Sequence, residues 1–134
     1  MRLLVLLLAL TLAAPAAASE TVAHMVIRNS PLAGFRYNDG RQVWDEMRAG
    51  DALLLVREPE NAFDAFAIRL EWNGRRIGYV PRDQNRALAH ALDAGTPIEA
   101  RIVELAKRHN GRHVISYDIF IPLHAAQQAQ GAGK

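Results

Sequence analysis

Apolar and polar residues alternate most sharply between positions 66 and 72. Phe66, Ile68, Leu70 and Trp72 are large and apolar, with Ala67, Arg69 and Glu71 between them. A period of two predicts a strand with one buried face. Asn73-Gly74 follows at once and predicts a tight hairpin, because both residues tolerate positive φ. Arg75 to Val80 is then the returning strand. Ile115, Tyr117, Ile119 and Ile121 repeat the alternation near the C-terminus, behind a second Asn-Gly pair at Asn110-Gly111. Upstream of that turn, Ile98 to Leu105 predicts a further strand. Its apolar positions move from even (Ile98, Ala100, Ile102) to odd (Val103, Leu105), the pattern left by a β-bulge.

The remaining elements are shorter. Val22 to Ile27 and Ala33 to Tyr37 read as extended, broken at Asn29-Ser30-Pro31. Val43, Trp44 and Met47 fall at near-helical spacing, so Arg41 to Arg48 predicts a short helix stopped by Gly50. Ala52 to Val56 reads as a strand that ends before Pro59, which fits neither a helix interior nor a central strand. A second helix is expected from an Asp83 cap through Leu92, with Ala87, Leu88, Ala91 and Leu92 as its buried stripe and Gly95 beyond its end. These elements do not alternate into βαβ units. The expected class is mainly β (α+β): a small, strongly bent OB-like or SH3-like β-barrel of about six strands, with two short helices plugging its ends.

The ends of the chain stand apart from this pattern. Met1-Arg2, the apolar run Leu3 to Ala14 and the exit Pro15-Ala16-Ala17-Ala18 have the form of a secretory signal peptide over residues 1–18, cleaved near Ala18. The apolar run is shorter than the ~20 residues a spanning helix needs. The expectation is therefore an exported protein, periplasmic or secreted, with no stable membrane span after processing. The tail at 124–134 is rich in Ala, Gln and Gly and predicts disorder. Residues 23–123 form the expected domain.

Composition narrows the function further. The 134 residues are 50% hydrophobic and 22% charged, as in an ordinary globular domain. There is no cysteine, which excludes disulfides, cysteine-ligated zinc and thiol catalysis. The formal charge of +2 falls by one when Arg2 leaves with the leader. Any attraction for nucleic acid must therefore come from a local patch.

Candidate chemistry gathers in the loop from Arg57 to Phe66. Asn61 and Asp64 are residues that bend back onto nearby amides and fix turns. Phe63 between them joins no periodic stripe. The loop admits two readings: a turn held by its Asx residues with Phe63 packed on the sheet, or a binding wall on which Phe63 stacks and Asp64 accepts a hydrogen bond from a sugar hydroxyl. Arg36-Tyr37 pairs a charge with a ring, and Arg82 adjoins a helix N-terminus, where an anion is favoured. Glu58, Glu60 and Asp64 could ligate Mg²⁺, and His109, His113 and His124 could meet around a hairpin. Neither group brings the further ligands or base of a metalloenzyme. The expectation is a non-catalytic protein with no metal and no cofactor.

Gly34-Phe35-Arg36-Tyr37, the loop Arg57-Glu58-Pro59-x-Asn61-x-Phe63-Asp64-x-x-Ala67-Ile68, and Ile77-Gly78-Tyr79-Val80-Pro81-Arg82 together resemble the HIRAN domain family, over roughly Ala23 to Leu123. The resemblance implies an oligonucleotide-binding-like barrel and a partner in single-stranded nucleic acid, above all DNA with a free 3′ end. It implies that Arg36 and Tyr37 contact the terminal nucleotides and that Tyr37 and Phe63 offer ring surfaces. Asn61 and Asp64 would meet the 3′ end, while Tyr79 and Arg82 line the groove and a phosphate. The family loop often has proline after the asparagine; Ala62 stands there here and lacks that restraint. An export signal also admits a second partner class, an envelope protein, peptide or glycan on the same surface.

Overall fold

The computed structural model describes residues 23–122. In chain order the elements are β1 (Ala23–Pro31), a 3-10 turn (Phe35–Tyr37), α1 (Gly40–Val43), β2 (Ala52–Arg57), β3 (Ile68–Trp72), β4 (Arg75–Tyr79), α2 (Arg82–Asp93), β5 (Glu99–Lys107) and β6 (His113–Pro122). The strands form one antiparallel sheet of order β1-β6-β5-β2-β3-β4.

β2 is the hinge of this sheet. Its first residues, Ala52 and Leu53, pair with β5, whereas Leu54 to Arg57 pair with β3. The ladder does not close into a barrel, contrary to the closed form expected from the sequence. A single antiparallel bridge instead brings the chain beyond β1 to the far edge strand. Ala33 N–H donates to the Tyr79 carbonyl at 3.0 Å, and Tyr79 N–H donates to the Ala33 carbonyl at 2.9 Å. Gly78 permits that approach: a Cβ there would lie 2.4 Å from the Ala33 carbonyl oxygen and 2.8 Å from Leu32 Cγ.

The alternations of the sequence are the core. Ile68, Leu70 and Trp72 of β3, Ile77 of β4, Ala100 and Ile102 of β5, and Ile115, Tyr117 and Ile119 of β6 are buried in one cluster with Leu88 and Ala89 of α2. The predicted bulge in β5 is present, with the β5–β6 register shifting between Ile102 and Glu104. Both Asn-Gly turns connect strands as expected; Asn73 and Gly74 have φ of 45° and 75°. Burial pushes the Tyr117 hydroxyl up to about 12, so it stays neutral beside the buried Ser30 hydroxyl.

Several boundaries differ from expectation for tertiary reasons. Ala33 to Tyr37 is not one extended segment: the chain turns into 3-10 geometry so that Phe35 enters the core beside Trp44. The helix expected from Arg41 to Arg48 is a single turn, after which hydrogen-bonded turns deliver Met47 into the core. Asn29-Ser30-Pro31 does not break β1. Asn29 instead adopts a φ of 50° within a register shift against β6. Phe66 lies before β3, packed on His90 and under the Arg86 guanidinium. Asp83 sits in the first turn of α2 and Pro81 at its cap, and the buried stripe includes Asn85 and Ala89 in place of Ala87. No helix among the described residues is long and apolar enough to cross a membrane. The expected leader at 1–18 and tail at 124–134 lie outside the described residues.

Candidate nucleic-acid interface

The loop between β2 and β3 is held by side chains, which replace the restraint a proline would add at Ala62. Asn61 Oδ1 accepts the amides of Phe63 (2.9 Å) and Asp64 (3.2 Å), and Asp64 Oδ1 accepts the Phe66 amide at 2.9 Å. These are the Asx turns expected of both residues. Arg57 clamps the loop base. Its guanidinium donates to the carbonyls of Ala67 (2.8 Å) and Ala65 (3.1 Å) and forms a forked pair with Asp93 of α2.

This scaffold leaves Phe63 outside. The ring is 88% exposed, so it does not pack on the sheet. Beside it lies a cleft of about 320 Å³ lined by Asn61, Phe63, Asp64, Tyr79, Arg82 and Asn85, with Ala33, Ala67 and Val80 as its apolar floor. Arg82, the first residue of α2, donates to the Phe63 carbonyl at 2.6 Å and places its Nε 3.5 Å from Asp64 Oδ2. Buried Asn85 donates to the same Asp64 oxygen at 2.7 Å. Beneath the cleft, Glu58 accepts from Asn61 Nδ2 (3.0 Å), the Tyr79 hydroxyl (3.0 Å) and Arg69 (2.7 Å).

The electrostatics follow from these contacts. Burial opposes ionisation of Asp64, but the Phe66 amide, Asn85 and the Arg82 and Arg57 guanidinium groups outweigh it and hold its carboxyl below the ordinary value. Glu58 is likewise opposed by burial and held low by Asn61, Arg69 and Tyr79. Burial, and then the Glu58 carboxylate, raise Tyr79, which remains a neutral donor. Asp64 is thus an ionised acceptor in a cleft, flanked by an exposed ring and a cation.

Arg36 and Tyr37 lie elsewhere. They line a second, larger cleft of about 530 Å³, together with Leu32, Gly34 and residues of the β5–β6 hairpin. Tyr37 is 75% exposed, its hydroxyl accepts from Arg36, and the Arg36 guanidinium carbon sits 4.5 Å from its ring centroid. The two clefts meet at the strap formed by Leu32 to Gly34: Ala33 lines the first, and Leu32 and Gly34 the second.

Sequence reasoning missed Glu58 and Asn85 as supports of the site. Asn85 carried a readable signal, because it occupies the apolar stripe with Leu88, Ala89 and Leu92 at helical spacing. A polar residue on such a stripe needs a buried partner. Glu58 entered only as a metal candidate, yet its carboxylate is occupied by three side-chain donors. Among the described residues no group of three or more His, Asp or Glu is placed to hold a metal. His113 packs on the rings of Trp44 and Phe35. His124 lies outside the described residues.

Both carboxyls are depressed below their ordinary values of 4.5 and 3.8, so their stabilisation is complete at neutral pH and lost as pH falls through the depressed values. The melting temperature should hold from neutral pH to about 5 and drop below about 4. Glu58→Gln should lower it at neutral pH and flatten the acid limb. A variant profile parallel to wild type throughout would show that Glu58 adds nothing.

Comparison with known proteins bears on the family and the fold. The sequence matches the HIRAN domain family over residues 28–124. A crystal structure of a protein from Lactobacillus plantarum shares 24% identity and superimposes with a TM-score of 0.60, covering 74% of this chain and 97% of that one. The HIRAN domain of human HLTF shares 21% identity at a TM-score of 0.56, covering 79% of this chain and 88% of that domain. A comparison with curated proteins finds no match. At these identities the two structures bear on the fold, and the match along 28–124 makes the assignment: the chain belongs to the HIRAN domain family.

Proposed function

We propose that this protein is a non-catalytic module that binds single-stranded nucleic acid, DNA with a free 3′ end above all. HIRAN domains are known in nucleic-acid-binding proteins, and a HIRAN domain by itself is typically a binding module. The observation that carries the finer reading is the pairing, in one cleft, of the exposed Phe63 ring with the ionised Asp64 carboxylate. A terminal base stacks on Phe63, since every base offers a π-face. The terminal 3′-hydroxyl donates to Asp64, whose oxygens keep lone pairs beyond those used by Phe66 and Asn85. Arg82 meets the adjoining phosphate, and Tyr79 and Asn61 shape the wall. A 3′-phosphate offers acceptors and negative charge to the same carboxylate and is repelled.

The test is a titration of labelled oligonucleotides differing only in 3′-hydroxyl or 3′-phosphate. The hydroxyl strand should bind more tightly, and Asp64→Asn should shrink the difference. Equal affinities for wild type would remove end capture; no binding at moderate salt would remove the nucleic-acid reading and leave the envelope-ligand alternative. Export belongs to the same proposal, resting on the leader pattern of residues 1–18. It is checked by recovering the protein from the periplasm or medium with its N-terminus near Ser19.

A further inference from the structure

Asn85 is a polar side chain on the face that α2 turns to the core, beside Leu88 and Ala89, and it is only 2% exposed. Burying an amide costs stability unless its hydrogen bonds are met. Its Nδ2 donates to Asp64 Oδ2 at 2.7 Å. The donor is rigidly placed, because both ends of α2 are tied down. Gln84 in the same turn accepts from the buried Ser30 hydroxyl of β1, and Asp93 at the far end pairs with Arg57. A second group competes for the same Asp64 oxygen. Arg82 Nε stands 3.5 Å from Oδ2, an ion pair not closed to hydrogen-bond length. Arg82 is held by the Phe63 carbonyl and its side chain is 71% exposed, so it has room to move where Asn85 has none. The Phe66 amide meets Oδ1 and Asn85 meets Oδ2, which pins both oxygens and leaves their other lone pairs to the cleft that Asp64 lines.

We infer that Asn85 is the positioning residue for end selection: it anchors the Asp64 carboxylate and keeps it from closing onto Arg82. The acid then stays available to a terminal hydroxyl, and the guanidinium to a phosphate. The inference rests on the proposed end-binding role of this cleft. Without the Asn85 donor the carboxylate turns toward Arg82, and the two charges satisfy each other. A terminal hydroxyl must then compete with an internal ion pair for its acceptor. Asn85 acts through Asp64 and not on the stacked base, so it governs the choice between strand ends rather than the grip of Phe63.

The experiment titrates oligonucleotides ending in a 3′-hydroxyl or a 3′-phosphate against wild type, Asn85→Leu, Arg82→Gln and the double variant. Leucine suits the apolar stripe of α2, so circular dichroism melting of Asn85→Leu should stay near wild type; Asn85→Ala takes its place if leucine lowers the transition. The preference for the hydroxyl end should fall several-fold in Asn85→Leu. Arg82→Gln should bind both strands more weakly and keep the preference. Joining it to Asn85→Leu should restore most of the preference, because the competing cation is gone; a residue that served only the fold would show no such rescue. If wild type prefers the hydroxyl end and Asn85→Leu prefers it equally, Asn85 does not position the acid and end binding survives. Loss of preference without rescue by Arg82→Gln also overturns the inference. A wild type that shows no preference overturns both proposals.

Discussion

Gly78→Ala should destabilise the domain by about 2–3 kcal/mol, the upper end of what overpacking costs. The added Cβ would stand 2.4 Å from the Ala33 carbonyl oxygen. That neighbour is backbone and cannot rotate away, so the strap and β4 must separate. Separation breaks the two hydrogen bonds between Ala33 and Tyr79, which together with the Asp39 amide's bond to the Arg76 carbonyl (2.9 Å) tie β4 to the chain leaving β1. The melting temperature should fall by roughly 10–20 °C. Oligonucleotide affinity should fall with it below the melting transition, because the strap joins the two clefts and Tyr79 lines one of them. Gly78→Ala with an unchanged melting temperature would mean that the strap docks without that close approach.

Phe63→Ala should do the opposite: weaken binding and spare the fold. Stacking on an aromatic side chain contributes ~1–3 kcal/mol per base, so the loss expected is roughly 5- to 150-fold in affinity. The ring is 88% exposed, and its residue serves the loop through its backbone, whose amide meets Asn61 and whose carbonyl meets Arg82. Those contacts survive truncation, so stability should stay within ~0.5 kcal/mol of wild type. Phe63→Trp should bind at least as well as wild type. An alanine variant that binds like wild type would leave the ring without a role and return the loop to a purely structural one.

The loop keeps one half of its structural reading and loses the other: its Asx residues fix the turn, but Phe63 does not pack on the sheet. Asn61 and Asp64 were expected either to fix the turn or to serve a ligand, and the geometry shows them fixing it. Because they do so, Phe63 is held outward and Asp64 ionised, the conditions a binding wall requires. Asn61 is spent on both functions of its amide, accepting from two loop amides while donating to Glu58. Its proposed share in end binding is therefore to hold the wall. Asp64 retains acceptor capacity and remains the group to test.

Local pattern was enough for whatever depends on neighbours along the chain. The alternation at 66–72, the two Asn-Gly turns, the parity change at Val103 and the Asx loop are each settled within a few residues, where pleat period and turn sterics act. Their outcome is visible in β3, β4, β5 and β6. Tertiary structure decided what depends on residues far apart. Phe35 turned an expected strand into 3-10 geometry by finding Trp44 and the core, and Asn85 became a support of Asp64 across 21 positions. The sheet stayed open except for one isolated bridge between Ala33 and Tyr79, and Arg36, Arg41 and Arg112 came to line one cleft. No periodicity encodes these encounters, because they arise only when the sheet bends and brings its ends together.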